Sequence, residues 1–142
     1  MMAPPREKIF EKVALKQRLD VMRKSRSLAV LREELQKTES LCEQLDVILK
    51  DIMARTGEQS VASLRADSWY RAKVLDQLKT LENRGQFLRS EIHDANMELA
   101  KARRKETRAH DAAKNQKRLR LEKAEQRRES ELPLRNRRGV IS

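Results

Sequence analysis

The sequence predicts an all-α protein, a long two-helix antiparallel coiled-coil hairpin with an overhanging C-terminal helix. Two ladders of mostly apolar residues carry this prediction, because steps alternating between three and four residues are typical of helices that wind around each other. Composition agrees with it. Charged residues make up 39% of the chain and aromatic residues 3%. A chain of this composition cannot close a globular core, but it can bury a helix seam.

The first helix is predicted for about residues 6–55. Pro4 and Pro5 stand at its start, where a residue without an N–H donor is tolerated. The first ladder follows one face of this helix and consists of Leu28, Leu31, Leu35, Thr38, Cys42, Leu45, Leu49 and Ile52. N-terminal to it, Leu15, Leu19 and Met22 mark a shifted face. We therefore expect a stutter near residues 23–27, where the seam changes register.

A turn is predicted for about residues 56–60, because Gly57 suits a helix C-cap. Ser60 and Ser63 are both candidate N-caps for the second helix. That helix is expected over about 61–132 and to end at Pro133, which leaves 133–142 as a disordered basic tail. Residues 1–132 would then form a single hairpin domain, because two long helices joined by a short turn pack antiparallel.

The second ladder changes in composition along its length. Its members are Val74, Leu78, Leu81, Gly85, Leu88, Ile92, Ala95, Leu99, Ala102, Glu106, Ala109 and Ala113. Leucine dominates up to Leu99 and alanine follows. Alanine buries less apolar surface than leucine, so we expect the seam to be weaker toward its alanine-rich end.

Positive charge concentrates toward the two termini. Residues 1–27 carry a net charge of +5 and residues 101–142 carry +9, whereas residues 28–100 carry −3. An antiparallel hairpin would bring both basic segments to its open end. Such an end is suited to an acidic partner.

The sequence contains no catalytic constellation, phosphate-binding glycine loop or zinc motif, so we expect a protein that is not an enzyme and has no cofactor, metal or small-molecule substrate. Cys42 is the single cysteine and falls on a ladder position, where a thiol acts as a small apolar residue. Nothing resembles a membrane span or a secretory signal, which favours a cytoplasmic protein.

Two groups of residues are candidate contact surfaces. The basic tract of the second helix includes Arg103, Arg104, Lys105, Arg108, Lys117, Arg118 and Arg120. One interpretation is a solvated helix surface, because glutamates interleave with the cations; the other is an electrostatic handle for an acidic partner. The second group is the aromatic pair Trp69 and Tyr70, of which at least one ring should be exposed because successive side chains point about 100° apart.

These features together resemble the FliJ family of flagellar export proteins and its YscO-like virulence relatives. The resemblance covers nearly the whole chain: its size and basic charge, the two-helix hairpin, the Trp69-Tyr70 opening of helix two, and the arginine- and alanine-rich run over residues 100–106. It implies a central stalk or regulator of a type III export apparatus, cytoplasmic and peripherally associated with the inner-membrane export machinery.

The resemblance also implies partners. The basic residues would contact a hexameric export ATPase, and export chaperones would bind as well. The export-gate membrane protein would contact Trp69, Tyr70, Val74 and Leu78. Two other functions stay open: a basic coiled coil that binds nucleic acid or another anionic surface, and an adaptor that self-associates. Nucleic acid is disfavoured as a partner, because the basic tract lacks aromatic residues for base stacking. The free chain is expected to be a monomer.

Overall fold

A computed structural model describes residues 5–55 and 60–141, with side chains described through Leu132. This part of the chain consists of two long helices that pack against each other, α1 (Pro5–Ala54) and α2 (Val61–Ile141), and it contains no strand. The all-α prediction is confirmed. The turn expected at about 56–60, with its Gly57 cap, lies mostly outside the described residues.

The helix starts agree with the local sequence signals. Pro5 is the first residue of α1, where its missing N–H costs nothing. At the start of α2, the backbone N–H of Ser63 donates to the side-chain oxygen of Ser60 at 3.2 Å. Ser60 is therefore the N-cap, because its oxygen satisfies one of the free N–H groups of the first turn.

The C-terminal end of α2 differs from the prediction. The backbone is helical to Ile141, beyond the expected helix end at 132, whereas the expected disorder of residues 133–142 stays a prediction. Proline lacks one N–H donor and crowds the preceding turn, at a cost of about 3 kcal/mol. That penalty weakens a helix at one position, but the arginine-rich residues that follow Pro133 favour helical backbone.

The ladders are the inner faces of the helices. Leu28 and Thr38 of α1 are buried, as are Val74, Leu88, Leu99 and Ala102 of α2. All the remaining ladder residues named above are buried or half-buried. The repeat of 3.5 residues therefore does predict the packed face, and this burial pattern is compatible with a coiled coil.

The seam of α1 has no stutter. Its buried or half-buried positions continue toward the N-terminus with unchanged spacing, at Lys24, Val21, Gln17, Ala14, Phe10 and Glu7. Leu15, Leu19 and Met22 are exposed instead. The expected register change was wrong because it followed the apolar residues, whereas the helix keeps a constant period and accepts polar residues on its inner face.

The chain divides into two compact units, each containing part of both helices. The central unit comprises residues 24–98, and the basic unit comprises residues 1–23 and 99–142. In the central unit, polar contacts between α1 and α2 flank the seam. They join Lys24 to Glu98, Arg32 to Asn96, Glu34 to Arg84, and Glu39 to Arg89, at distances of 3.1 to 4.0 Å.

Candidate partner-binding surfaces

The basic unit carries the whole net charge of the protein. It holds 21 Lys and Arg against 9 Asp and Glu, a net charge of +12, whereas the central unit holds 12 against 13, a net charge of −1. An excess of this size in one compact unit creates a positive potential that attracts anionic partners. The boundaries between the compact units thus lie within a few residues of the boundaries in charge.

Six of the seven predicted basic contact residues are exposed on α2. They are Arg103, Arg104, Lys105, Arg108, Lys117 and Arg118. The seam residues Ala102, Glu106, Ala109 and Ala113 turn inward between them. Because the inward positions recur every three or four residues, the intervening cations are left on the outer and flanking faces, where a partner can reach them.

The cations differ in how far acidic neighbours compensate them. Arg118 Nη1 lies 3.4 Å from Glu122 Oε1, a surface ion pair one helical turn apart. Residues 101–110 contain Glu106 as their one acidic residue, and its side chain is half-buried at a seam position. The segment 103–108 is therefore the part of the basic tract where exposed positive charge is least balanced on its own helix.

Arg120 differs from the other predicted contact residues. It is half-buried at a seam position, and its Nε lies 2.8 Å from Oε2 of Glu7, which is only 4% exposed. The N–H does not point along the line to that oxygen, so the contact is an ion pair rather than a hydrogen bond. Arg120 thus joins α2 to α1 within the basic unit.

The Glu7–Arg120 pair was missed by sequence reasoning, although a signal for it existed. Heptad positions counted back from Leu28 reach Glu7 at steps of seven, and those counted forward from Leu99 reach Arg120 in the same way. The predicted ladders begin at Leu28 and end at Ala113, so neither Glu7 nor Arg120 belongs to them. The opposite charges of Glu7 and Arg120 at these heptad positions indicate that the seam continues as far as these two residues.

The aromatic pair forms a second candidate surface, in the central unit. Trp69 is 62% exposed and Tyr70 is 47% exposed, so both rings lie outside the seam. Lys73 Nζ lies 4.6 Å from the centre of the Trp69 ring, a cation–π contact one turn along the helix. Two adjacent exposed rings on a highly charged chain are a suitable contact point for another protein.

Val74 and Leu78 do not extend this exposed surface. Val74 is 3% exposed and Leu78 is half-buried, since both belong to the inner face of α2. The four residues expected to contact an export gate therefore separate into two groups. Trp69 and Tyr70 are accessible, whereas Val74 and Leu78 pack in the seam.

The described residues include two histidines and one cysteine. No group of three or more His, Cys, Asp or Glu side chains among them is arranged to hold a metal ion. His93 and His110 are exposed on α2, and Cys42 is half-buried in the seam. No helix in this part of the chain is both long enough and apolar enough to cross a membrane.

Comparison with known proteins assigns no family to the chain. No family model matches it, and neither a curated protein nor a solved structure is similar to it at a significant level.

Proposed function

We propose that this protein is a non-catalytic central-stalk or regulatory component of a type III export apparatus, of the flagellar or the virulence type. In this role it binds the hexameric export ATPase through its basic residues and promotes the export of substrate proteins. It acts in the cytoplasm, peripherally associated with the export machinery of the inner membrane. The export-gate protein and export chaperones are its other partners.

The concentration of exposed positive charge in the basic unit is the observation that carries this proposal. Arg103, Arg104, Lys105 and Arg108 are exposed within two helical turns, in a unit of net charge +12. Charge of this density raises the association rate with an acidic surface and selects against basic ones. A stalk that has to find the pore of an acidic ring would use such a segment.

An antiparallel hairpin with an overhanging C-terminal helix is part of the proposal. Its support is the order of the contacts within the central unit, where Lys24 pairs with Glu98 but Glu39, further along α1, pairs with Arg89. The partners of Lys24 and Arg32 are residues 98 and 96, whereas the partners of the later residues Glu34 and Glu39 are residues 84 and 89. Helix α2 has 81 residues and α1 has 50, so α2 exceeds the length that α1 can cover.

The gate contact is assigned to Trp69 and Tyr70. Their exposure supports this assignment, and Lys73 holds a positive charge over the Trp69 ring. Val74 and Leu78 have a supporting part, since their packing in the seam fixes the helix turn that carries both rings.

Reversing the charge of the least compensated segment tests the ATPase contact. The variant Arg103→Glu/Arg104→Glu/Lys105→Glu changes three exposed residues and is expected to remain folded. It should lose co-purification with the cognate hexameric export ATPase and stimulation of its ATP hydrolysis, because the acidic ring now repels the segment. Affinity and hydrolysis rate are both measured against the unaltered chain.

The matched control is Arg65→Glu/Arg71→Glu/Lys79→Glu, which makes the same change in net charge at exposed positions of α2 in the central unit. It should retain binding and stimulation. Unchanged stimulation by the 103–105 variant, or equal losses in both variants, would refute a localised ATPase contact.

Binding of nucleic acid or another anionic surface is the alternative, and the same exposed cations favour it. This function predicts affinity for DNA or RNA of any sequence, falling steeply with salt. Phe10 is the one Phe, Tyr or Trp of the basic unit, and it is half-buried, which disfavours base stacking. Absence of binding at about 50 mM salt would remove this alternative.

A further inference from the structure

We propose that an exposed apolar line on α1 binds an acidic amphipathic helix of a partner protein. The line consists of Leu15, Leu19 and Met22, which are 57%, 44% and 44% exposed. It lies in the basic unit, outside the inner face of α1, and Leu15 and Leu19 border a groove that Lys105 of α2 also lines. This inference does not depend on the export function proposed above, because it concerns other residues on the other helix.

The spacing of the line is that of a helix-packing seam. Leu15, Leu19 and Met22 follow each other at steps of four and three, the same alternation that places residues on the inner faces of α1 and α2. The inner face over this stretch is occupied by Ala14, Gln17 and Val21. Helix α1 therefore presents two seams here, and α2 covers only one of them.

The charges around the line specify the partner. Lys12, Lys16, Arg18 and Arg23 are exposed beside or between its members. Glu11 and Asp20 are the acidic residues of the same stretch, and they stand on the two flanks between the line and the inner face. A partner helix with leucines at matching steps and glutamates or aspartates on both sides would bury the line and pair with these cations.

The geometry favours a single partner helix, rather than a membrane surface, as the ligand of the line. The line is one residue wide, and Lys12 and Lys16 interrupt its edges, whereas helices that lie in a bilayer surface present a broad, uninterrupted apolar face. A second copy of this chain fits poorly. The line of the second copy has the same cations beside it, and like charges that face each other in a helix pair repel.

A synthetic peptide tests this chemistry directly with the full-length chain. The probe is a labelled peptide about three heptads long, with leucine at the seam positions and glutamate on both flanks. Fluorescence anisotropy should show binding that weakens when salt rises from about 50 to about 300 mM, because exposed ion pairs are screened. A peptide with the same leucines and lysine flanks should not bind.

Two variants locate the site, and one matched control distinguishes it from general charge attraction. Leu19→Asp, and separately Lys12→Glu/Lys16→Glu, should each weaken binding at least about tenfold. Leu121→Asp changes another leucine of the basic unit, which is 50% exposed and lies near both basic and acidic residues, and it should leave affinity unchanged. Circular dichroism checks that each variant is helical, and the charge variant keeps the test valid if Leu19→Asp unfolds.

Three results would overturn the proposal. The first is equal weakening by Leu19→Asp and Leu121→Asp. The second is a pair of findings: the acidic peptide does not bind, but vesicles of phosphatidylglycerol and phosphatidylcholine bind in a way that depends on Leu19. The ligand of the line would then be a lipid surface instead. The third is self-association of the free chain that Leu19→Asp abolishes, since the line would then bind a second copy.

Discussion

At the residue scale, several buried positions of the seam hold residues that are polar or that have no side chain. Thr38 is buried, and its hydroxyl donates to the backbone oxygen of Glu34 at 2.9 Å, so its polar atom has a partner within the same helix. Glu7 is buried against Arg120. Gly85 is buried as well and contributes no side chain. Each position keeps the period of the seam without adding apolar surface.

Gly85→Ala is expected to stabilise the protein by about 1 kcal/mol, because alanine has the higher helix propensity and restricts the unfolded chain. A Cβ atom built at Gly85 meets nothing within 4 Å, and its φ angle is not positive, so the methyl group fits without strain. The free energy of unfolding in urea measures the effect. A loss of stability would show that the helices need the glycine for close approach.

Glu7→Gln is expected to destabilise the protein by about 1–2 kcal/mol, because it removes the charge that neutralises Arg120. The cost stays below that of breaking a fully buried pair, since the Arg120 side chain is 37% exposed and water can solvate it. A double-mutant cycle with Arg120→Gln isolates the pair. Additive effects in that cycle would mean that the two side chains do not interact in solution.

At the element scale, the inner face of α1 includes polar residues over its first half, and the outer face there includes apolar ones. Gln17 is half-buried on the inner face, whereas Leu15 is exposed. Apolar side chains alone would have placed Leu15 inside. The helix instead keeps the register set by the leucines after residue 28, because changing register within a packed helix pair disrupts the interlocking of side chains on both sides of the change.

Gln17→Leu is expected to stabilise the free chain by about 1 kcal/mol, because it adds apolar surface to the packed face. Leu15→Gln, the matched exchange on the outer face, should change the stability by less than about 0.5 kcal/mol. Thermal unfolding followed by circular dichroism compares the two. If instead Leu15→Gln were the costly variant, the seam would change register as the apolar pattern alone suggests.

At the scale of the whole molecule, charge and packing divide the chain at nearly the same residues. The central unit has the leucine-rich seam, cross-helix ion pairs and a net charge of −1. The basic unit has the alanine-rich seam and a net charge of +12. Positive charge is thereby concentrated where alanine follows leucine in the seam, so repulsion among the cations acts on the part that we expect to pack less strongly.

The free protein is expected to be a monomer of 16.7 kDa at low salt. A net charge of +11 opposes self-association, and the two helices already cover each other's seams. Sedimentation equilibrium measures the mass. A dimer at about 50 mM salt would favour the self-associating adaptor and would count against a stalk that works as a single copy.

The sequence by itself determined the two helices, their inner faces along the two ladders, and the distribution of charge. These are local properties: a period of 3.5 residues defines a face, Pro5 and Ser60 mark helix starts, and charge is counted along the chain. Correct identification of every ladder residue followed from this periodicity.

The tertiary structure alone decided which of two apolar faces on the first half of α1 is packed. It also placed Arg120 against Glu7 and left both Trp69 and Tyr70 exposed, where the sequence required only one exposed ring. The physical reason is that burial depends on the partner helix. A side chain at a seam position is enclosed whatever its polarity, and an apolar side chain on the outer face stays exposed until another molecule covers it.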